Sequence, residues 1–289
     1  MISRTLLIAA LAGGLLTQTG PERPQILGIA RVAFRVSSIE AARGFYGHSL
    51  GLMQVSHSGC VRYRVNDRQE IAIEPGLPAD EDERLSYLAW ETSNVDALAT
   101  YLRAHNVTPE AQPPVTGCAA ASPRALWVKD PDGHLLAFVE SHSSKPASAT
   151  APTEHPVSTR VLHAGLTIRD PQAADAFYKE VLGFSEIWRG GRTDEVTSWI
   201  NMKVPNGTDY LEYMLVTGPV SRQQRGSLHH VAMLVPDIQV ALETVRNRTA
   251  PEKRTALASP QVGRNKRWQL NLFDPDGTRT ELMEPYTMR

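Results

Sequence analysis

Cysteine is scarce in this sequence. The 289 residues include only two, Cys60 and Cys118, and neither has a second cysteine at CxxC spacing. This excludes the CxxC motifs that bind metals or exchange disulfides. In an oxidising compartment the two cysteines can form a disulfide, and otherwise they would be two buried thiols. The sequence leaves both interpretations open.

An excess of one charge sign is also missing. Lys and Arg number 30 against 31 Asp and Glu, for a formal net charge of −1. This balance gives the chain no overall attraction to a polyanion, so we expect no nucleic-acid partner. Long hydrophobic runs are absent beyond the N-terminus, so no later segment is predicted to cross a membrane.

The N-terminus is the one strongly apolar stretch. Arg4 precedes an apolar or small run from Leu6 to Leu16, and a short polar stretch follows. This three-part layout is typical of a secretory signal peptide, and the run is short for a membrane span. We therefore expect residues 1–20 to be a signal peptide and the protein to be periplasmic or secreted. The alternative is a membrane anchor formed by the uncleaved segment.

The chain contains an internal repeat. AARGFYGHSLGL at 41–52 matches AADAFYKEVLGF at 173–184, and KDPDGHLLAFVES at 129–141 matches FDPDGTRTELMEP at 273–285. Two such matches at similar offsets indicate a tandem duplication.

The duplication predicts two domains, at 27–141 and 160–286. The segment 142–159 between them is rich in Ser, Pro, Ala and Thr, which is typical of a flexible linker. In the second domain a strand at 161–168 precedes a helix that Asp170-Pro171 begins and Gly183 ends. More strands follow, and the order then repeats with Asp237 capping a helix at 238–248. Strands and helices in this order predict an α+β fold.

Strand alternation separates histidines that could bind a ligand from those that pack in a core. Successive side chains of a strand point to opposite faces. In 161–168, His163 shares a face with small or polar residues, so we expect it to face a concavity. In LHHVAMLV the same test turns His230 toward the concavity and His229 away from it. The face expected to pack on a helix holds Leu162, Ala164, Leu166 and Ile168.

Two glutamates lie inside apolar strands. Glu212 is within DYLEYMLV and Glu281 is within the last strand. A buried carboxylate is costly unless it is paired. With His163 and His230, at equivalent points of the repeated halves, these carboxylates would supply the nitrogen and oxygen ligands of a divalent metal.

These residues and their order resemble the vicinal oxygen chelate superfamily. The resemblance rests on His163, A-x-x-F-Y-x-x-x-L-G at 174–183, Glu212, His230 in HHVAMLV, and DPDG followed by Glu281. That superfamily holds glyoxalase I, bleomycin and fosfomycin resistance proteins, methylmalonyl-CoA epimerase and extradiol dioxygenases. The resemblance implies tandem glyoxalase-like domains, each of paired βαβββ modules forming a cupped mixed or antiparallel sheet.

The resemblance also implies a ligand set. Glyoxalase I resembles the second domain at all four ligand positions, His163, Glu212, His230 and Glu281. One divalent ion is expected there: Zn, Ni, Mn, Co or Fe(II). The equivalent positions in the first domain, which hold no such set, are Arg31, Ala72 or Glu74, Tyr87 and Ala137. The first domain is therefore expected to be a degenerate, structural partner.

Four protein ligands favour Lewis-acid chemistry. We predict a metal-dependent lyase or isomerase of the glyoxalase type, acting on a small oxygen-bearing substrate through an enediolate-like intermediate. Glu281 or Glu212 would act as the base, and the sequence does not choose between them. A homodimer is compatible with this interpretation.

Two alternatives remain. An extradiol-type Fe(II) ring-cleaving dioxygenase would use His163, His230 and Glu281, but Asn265 and Asn271 stand where its histidine and tyrosine acid–base groups are expected. A non-enzymatic binding or resistance protein would hold a small molecule in the cup without turnover.

A basic loop, GRNKRWQ at 263–269, lies close in sequence to the last strand. Arg264, Lys266 and Arg267 beside Trp268 are predicted to bind a carboxylate or phosphate with a stacked group. The alternative is an ordinary solvated basic loop.

Overall fold

The computed structural model describes residues 20–57, 60–79, 84–111, 118, 124–140 and 155–287. The predicted signal peptide, apart from Gly20, and residues 142–154 of the predicted linker lie outside this part of the chain. Within the described part, no helix is both long and apolar enough to cross a membrane.

The first sheet has seven strands in the order β2-β3-β4-β1-β5-β7-β6. Its elements are β1 (Ile26–Val36), α1 (Ile39–Ala42, continued by a wider helical turn over Arg43–Ser49), β2 (Met53–His57), β3 (Cys60–Arg64), β4 (Glu70–Pro75), β5 (Leu85–Thr92), α2 (Val95–Ala104), β6 (Ala125–Lys129) and β7 (Leu135–Val139).

The second sheet has eight strands in the order β13-β14-β15-β12-β8-β11-β10-β9. Its elements are β8 (Val161–Ile168), α3 (Pro171–Asp175, continued by a wider turn over Ala176–Val181), β9 (Ser185–Gly190), β10 (Trp199–Lys203), β11 (Tyr210–Leu215), α4 (Arg222–Leu228), β12 (His230–Leu234), α5 (Ile238–Arg248), a 3₁₀ turn (Pro251–Ala256), β13 (Gln261–Val262), β14 (Arg267–Phe273) and β15 (Arg279–Thr287). Both sheets mix parallel and antiparallel pairs, which confirms the α+β prediction.

The helix signals of the sequence act as predicted. The Asp170 side chain accepts hydrogen bonds from two backbone N–H groups at the start of α3, and Pro171 occupies the first turn. Gly183 has φ +76°, the left-handed backbone that favours glycine after a helix. Asp237 caps α5 in the same manner as Asp170 caps α3.

The two repeated motifs bind each other across the domains. The Tyr46 hydroxyl of the first Phe-Tyr motif donates to Asp274 of the second DPDG turn over 3.1 Å. In return, the Tyr178 hydroxyl donates to Asp130 of the first DPDG turn over 2.9 Å. Core residues of both domains also belong to one apolar cluster. The tyrosine of each copy thus donates to the DPDG turn of the other copy.

The structure corrects the strand alternation at Leu162. A register shift separates the pairs that His163 and Val161 make with β12. Leu162 is therefore an extra residue in the strand, a β-bulge. It packs with Tyr210 and Met283 and not with the core cluster.

Two further local predictions were wrong. LHHVAMLV is not strand throughout, because α4 extends to Leu228 and β12 begins at His230. A capping box formed by Ser221 and Gln224 starts that helix. The segment 263–269 is not all loop, since β14 begins at Arg267.

Candidate metal centre

The second sheet places its histidines and glutamates in two rows across neighbouring strands. In the first row His230 on β12 pairs with Gly165 on β8, and Gly165 pairs with Glu212 on β11. Residues directly opposite each other on adjacent strands point to the same face. His230 and Glu212 therefore face the same concavity, with only a hydrogen atom as the side chain between them.

The second row repeats this order in the opposite direction. His163 on β8 pairs with Ala232 on β12, and Ala232 pairs with Glu281 on β15. A small residue again separates the imidazole from the carboxylate. The two rows therefore leave space over the middle of the sheet and surround it with two histidines and two glutamates.

The four side chains converge on that space. The Nε2 atoms of His163 and His230 lie 3.0 Å apart. Glu212 Oε2 lies 3.7 Å and 3.3 Å from these two nitrogens, and Glu281 Oε2 lies 3.6 Å and 3.7 Å from them. One potential ligand atom from each residue falls within 4.8 Å of every other.

This donor set fits one divalent ion. Imidazole nitrogens and carboxylate oxygens bind Zn²⁺ at about 2.0–2.2 Å, so atoms that share an ion lie roughly 3–4 Å apart. All four residues are buried. Two buried carboxylates are costly without a compensating positive charge, which a divalent ion would supply.

Gly165 makes room for the His230 ring. A Cβ atom added at this glycine would lie 2.1 Å from His230 Cε1 and 2.8 Å from the carbonyl oxygen of Leu228. No larger residue fits there without displacing the ring. Position 165 therefore sets where the imidazole lies.

The His230 ring is also oriented from behind. Its Nδ1 lies 2.9 Å from the Leu228 carbonyl oxygen, so Nδ1–H donates and the Nε2 lone pair faces the cluster. Burial, with the neighbouring charges of Arg279 and His163, holds the pKa of His230 well below its usual value. The ring is therefore neutral, which is the form that binds metals.

Glu281 is held in its ionised form. Burial alone would raise its pKa, but the contact with His163 and the charge of Arg279 outweigh burial and lower the pKa. The Arg279 Nη2 lies 2.9 Å from both ring nitrogens of His230, next to Glu281. Arg279 thus adds a positive charge at one edge of the cluster.

Tyr210 supports the other histidine. Its ring stacks on His163, with centroids 4.5 Å apart and an interplanar angle of 29°. Burial, together with Glu212 and Glu281, raises the pKa of Tyr210 well above its usual value. Tyr210 is therefore a neutral phenol that orients the His163 ring.

Sequence reasoning did not assign Tyr210 or Arg279 to the site. Tyr210 pairs with His163 and Arg279 pairs with His230. The signal that would have found both is strand register, which the sequence pattern alone does not give.

The residues of the predicted basic loop have different surroundings in the structure. Arg264 pairs with Asp194 on the surface, and Lys266 has φ +60° in the turn between β13 and β14. The charge of Arg267 lowers the pKa of Tyr210, whose ring stacks on His163, and partly offsets the rise caused by burial and the two glutamates. Trp268 packs against the apolar core, because alternation turns it away from the face of Arg267. Trp268 thus lies on the opposite face of β14 from Arg267, and ligand binding by this loop stays a prediction.

His229 lies outside the cluster. It is buried, and its Nε2 lies 2.9 Å from the Thr167 hydroxyl, which also lies 3.2 Å from Nε2 of His134 in the first domain. The two adjacent histidines thus have different surroundings: His230 lies among the four clustered residues and His229 contacts the other domain.

The comparison with protein families agrees with this geometry. The model of the glyoxalase, bleomycin resistance protein and dioxygenase superfamily matches residues 28–138 and 160–282. The chain belongs to this superfamily. The prediction of family and of tandem glyoxalase-like domains is confirmed. No curated protein matches the sequence.

Several solved dioxygenase structures share the two-domain fold. The 2,3-dioxygenase LapB from Pseudomonas sp. KL28 is 16% identical with a TM-score of 0.67, over 92% of this chain and 96% of that one. Homoprotocatechuate 2,3-dioxygenase from Arthrobacter globiformis is 19% identical with a TM-score of 0.68, over 92% and 81%. The halotolerant catechol dioxygenase BphC is 18% identical with a TM-score of 0.64, over 90% and 87%. At these identities the likeness establishes the fold.

Among its described residues, the first glyoxalase-like domain has no comparable ligand set. Ala33 is the first-domain equivalent of Gly165, and it pairs with Ala72 as Gly165 pairs with Glu212. The strand register therefore makes Ala72, and not Glu74, the equivalent of Glu212. Arg31 and Tyr87 take the places of the two histidines, and the Arg31 guanidinium donates to the Tyr87 hydroxyl over 3.2 Å. The remaining concavity is filled by a buried cluster of Ala33, Cys60, Ala72, Tyr87, Ala89, Cys118, Trp127 and Ala137.

The two cysteines lie within that cluster and form a disulfide. Of the two interpretations that the sequence left open, the structure has the paired one. The first cup is thus packed and cross-linked where the second is lined with potential ligands.

Proposed function

We propose that the protein is a metal-dependent lyase or isomerase of the glyoxalase type, acting on a small oxygen-bearing substrate in the second domain. The observation that carries this proposal is the position of Glu212. It completes a set of four residues whose ligand atoms all lie within 4.8 Å of one another. A fourth protein ligand takes a coordination position that an oxygenase would keep for its substrates.

A bound divalent ion would supply Lewis-acid chemistry, the polarisation of substrate oxygens. His163, Glu212, His230 and Glu281 would hold it. The chain supplies the rest: Gly165 leaves room for the His230 ring, and Tyr210 keeps the His163 ring in place by stacking.

The proton transfer falls to one of the two carboxylates. The Glu212 side chain is 11% exposed and the Glu281 side chain is 4% exposed. A base must reach the proton that it removes, so the more open carboxylate is the better placed. We assign Glu212 as the base that takes a proton from a substrate carbon next to an oxygen-bearing carbon. Glu281 would remain a ligand.

Metal content and oxygen uptake test this function together. We expect protein purified without oxygen to carry one divalent ion per chain and to consume no oxygen with catechols. Glu212→Gln should retain most of the metal and lose proton exchange at the substrate carbon, followed by NMR in D₂O. Glu281→Gln should lose metal more strongly. Metal-free wild-type protein after supplementation with all five candidate ions would contradict the proposal.

A ring-cleaving dioxygenase is the second candidate. The observation that favours it is similarity to three dioxygenase structures over at least 90% of this chain. It would use Fe(II) with His163, His230 and Glu281. Oxygen uptake on catechols by iron-loaded protein, retained in Glu212→Gln, would establish this candidate in place of the first.

We also propose that the protein is exported. The apolar run in residues 1–20 supports this, as does the bond between Cys60 and Cys118, since disulfides persist in oxidising compartments. Fractionation of cells that express the full chain, with mass spectrometry of the mature N-terminus, tests the location. Full-length protein in the cytosol with reduced cysteines would contradict it.

A further inference from the structure

Two asparagines extend the rows that carry the clustered residues. Asn201 on β10 pairs with Glu212, and Asn271 on β14 pairs with Glu281. Because directly paired residues of adjacent strands share a face, both amides lie on the side of the sheet that carries the glutamates. Each asparagine is therefore the outer neighbour of one carboxylate.

The order of residues makes the two asparagines equivalent. One row runs Asn201, Glu212, Gly165, His230, and the other runs Asn271, Glu281, Ala232, His163. The rows run in opposite directions. The two amides therefore lie on opposite sides of the cluster, one beyond each carboxylate.

Both amides have an unsatisfied buried atom. Asn201 is 4% exposed and Asn271 is partly buried. Within the described part of the chain, the side-chain oxygen of each is buried and has no hydrogen-bond partner. An unpaired buried polar atom costs about 1–3 kcal/mol. If either amide were turned over, its nitrogen would be the unpaired atom in the same place.

The fold itself does not require asparagine at these positions. In the first domain, Arg62 pairs with Ala72 and Trp127 pairs with Ala137, so Arg62 and Trp127 are the equivalents of the two asparagines. The same sheet thus forms with a cation and an indole there. Asparagine therefore occupies these positions in the domain that has the ligand set, and the sheet forms without it in the domain that lacks the set.

We propose that Asn201 and Asn271 are substrate-positioning residues, each forming a hydrogen bond to one oxygen of a substrate that carries oxygens on adjacent carbons. An amide can donate to a carbonyl oxygen or accept from a hydroxyl group, so each asparagine serves either kind of oxygen. Two amides on opposite sides of the cluster fix both ends of such a pair. This inference rests on the proposed function, because it assumes that the substrate lies over the metal.

The test uses full-length protein loaded with Co²⁺ and two small probes. Acetohydroxamate presents two adjacent oxygens and would contact the amides. Azide binds a metal through one atom and does not require them. Binding of each is followed through the visible absorption of the cobalt protein. The variants are Asn201→Leu, Asn271→Leu and the double variant, with the surface change Asn247→Leu on α5 as the matched control.

We expect every variant to hold one Co²⁺ per chain and to bind azide as the wild type does. Each Leu substitution should raise the acetohydroxamate Kd about 3-fold to 10-fold, the value of one hydrogen bond, and the double variant should approach the product. Asn247→Leu should change nothing. Because Leu removes an unpaired buried amide, the melting temperature should not fall. If either Leu variant unfolds, Asn201→Ala and Asn271→Ala replace them.

Two results separate failure of this inference from failure of the proposed function. Unchanged acetohydroxamate binding in a folded, cobalt-loaded double variant would overturn the positioning role and leave the metal site intact. Wild-type protein that binds no Co²⁺ would overturn the metal site, and with it this inference.

Discussion

The substitution Gly165→Ala tests the proposed metal site without changing any of its four ligands. The added Cβ would lie 2.1 Å from Cε1 and 2.2 Å from Nδ1 of His230, whereas ordinary contacts begin at 3.4 Å. The imidazole must therefore move by more than 1 Å. His230 is buried and is held by the Leu228 carbonyl over 2.9 Å, so the ring cannot turn freely.

The cost has two parts. Overpacking in a buried site costs about 1–3 kcal/mol, and loss of the Leu228 hydrogen bond adds about 0.5–1.5 kcal/mol. We therefore expect the free energy of unfolding of the metal-free protein to fall by about 2–4 kcal/mol. Losing the orientation of one ligand typically weakens metal binding 10-fold to 100-fold, and a shift of this size should give at least that.

The assay is competition for Zn²⁺ against a chromophoric chelator, with chemical denaturation of the metal-free protein alongside. Gly44→Ala is the control, because a Cβ at Gly44 meets nothing within 4 Å. That variant should bind metal as the wild type does and be equally or slightly more stable, since alanine favours a helical segment. A Gly165→Ala variant with wild-type metal affinity would refute the placement of His230 as a ligand.

Three further outcomes are expected. Burial and the neighbouring Asp276 raise the pKa of Asp274 to about 6, so the folded state binds this proton more tightly than the unfolded state, whose pKa is near 3.9. The stability that this group contributes is therefore present below about pH 4 and is lost as pH rises toward 6. In Asp274→Asn this loss of about 2–3 kcal/mol should be missing from the plot of unfolding free energy against pH, and parallel plots for the variant and the wild type would contradict the prediction. The Cys60–Cys118 bond closes a separation of 58 residues, so the double variant Cys60→Ser/Cys118→Ser should lower the free energy of unfolding by about 4 kcal/mol. Its zinc affinity should stay unchanged, because the four clustered residues lie in the other domain; lost zinc binding would contradict this. Chelation should lower the melting temperature, and free metal at roughly 100 times its Kd should restore about 2.7 kcal/mol; a melting temperature indifferent to metal would contradict a folded-state site.

Much of the fold could be predicted from the sequence because its signals are local. Asp170, Pro171 and Gly183 mark the ends of one helix through backbone hydrogen bonding and allowed φ, which depend on a few neighbouring residues. The predictions failed where a distant strand sets the register. The bulge at Leu162 exists only because β12 pairs with both sides of it, and no local pattern contains that information.

The same distinction applies to the site, where some residues could be predicted from the sequence and others could not. His163, Glu212, His230 and Glu281 could be predicted because polar residues in apolar strands are costly and stand out in a sequence. Their neighbours could not. Asn201 belongs beside Glu212 only through the pairing of β10 with β11, and an asparagine in a strand gives no signal by itself.

The arrangement of the four clustered residues links the proposed metal to the assembly of the second domain. His163 and Glu212 come from its first βαβββ module, and His230 and Glu281 come from its second. Neither module has a full set, so an ion bound by all four would hold the two modules together, and its binding energy would become folding energy. In the first domain a disulfide spans the same two modules, with Cys60 on β3 and Cys118 between α2 and β6. One domain thus joins its modules by a covalent bond and a filled cup. In the other, a metal would serve the same purpose and leave the cup open for chemistry.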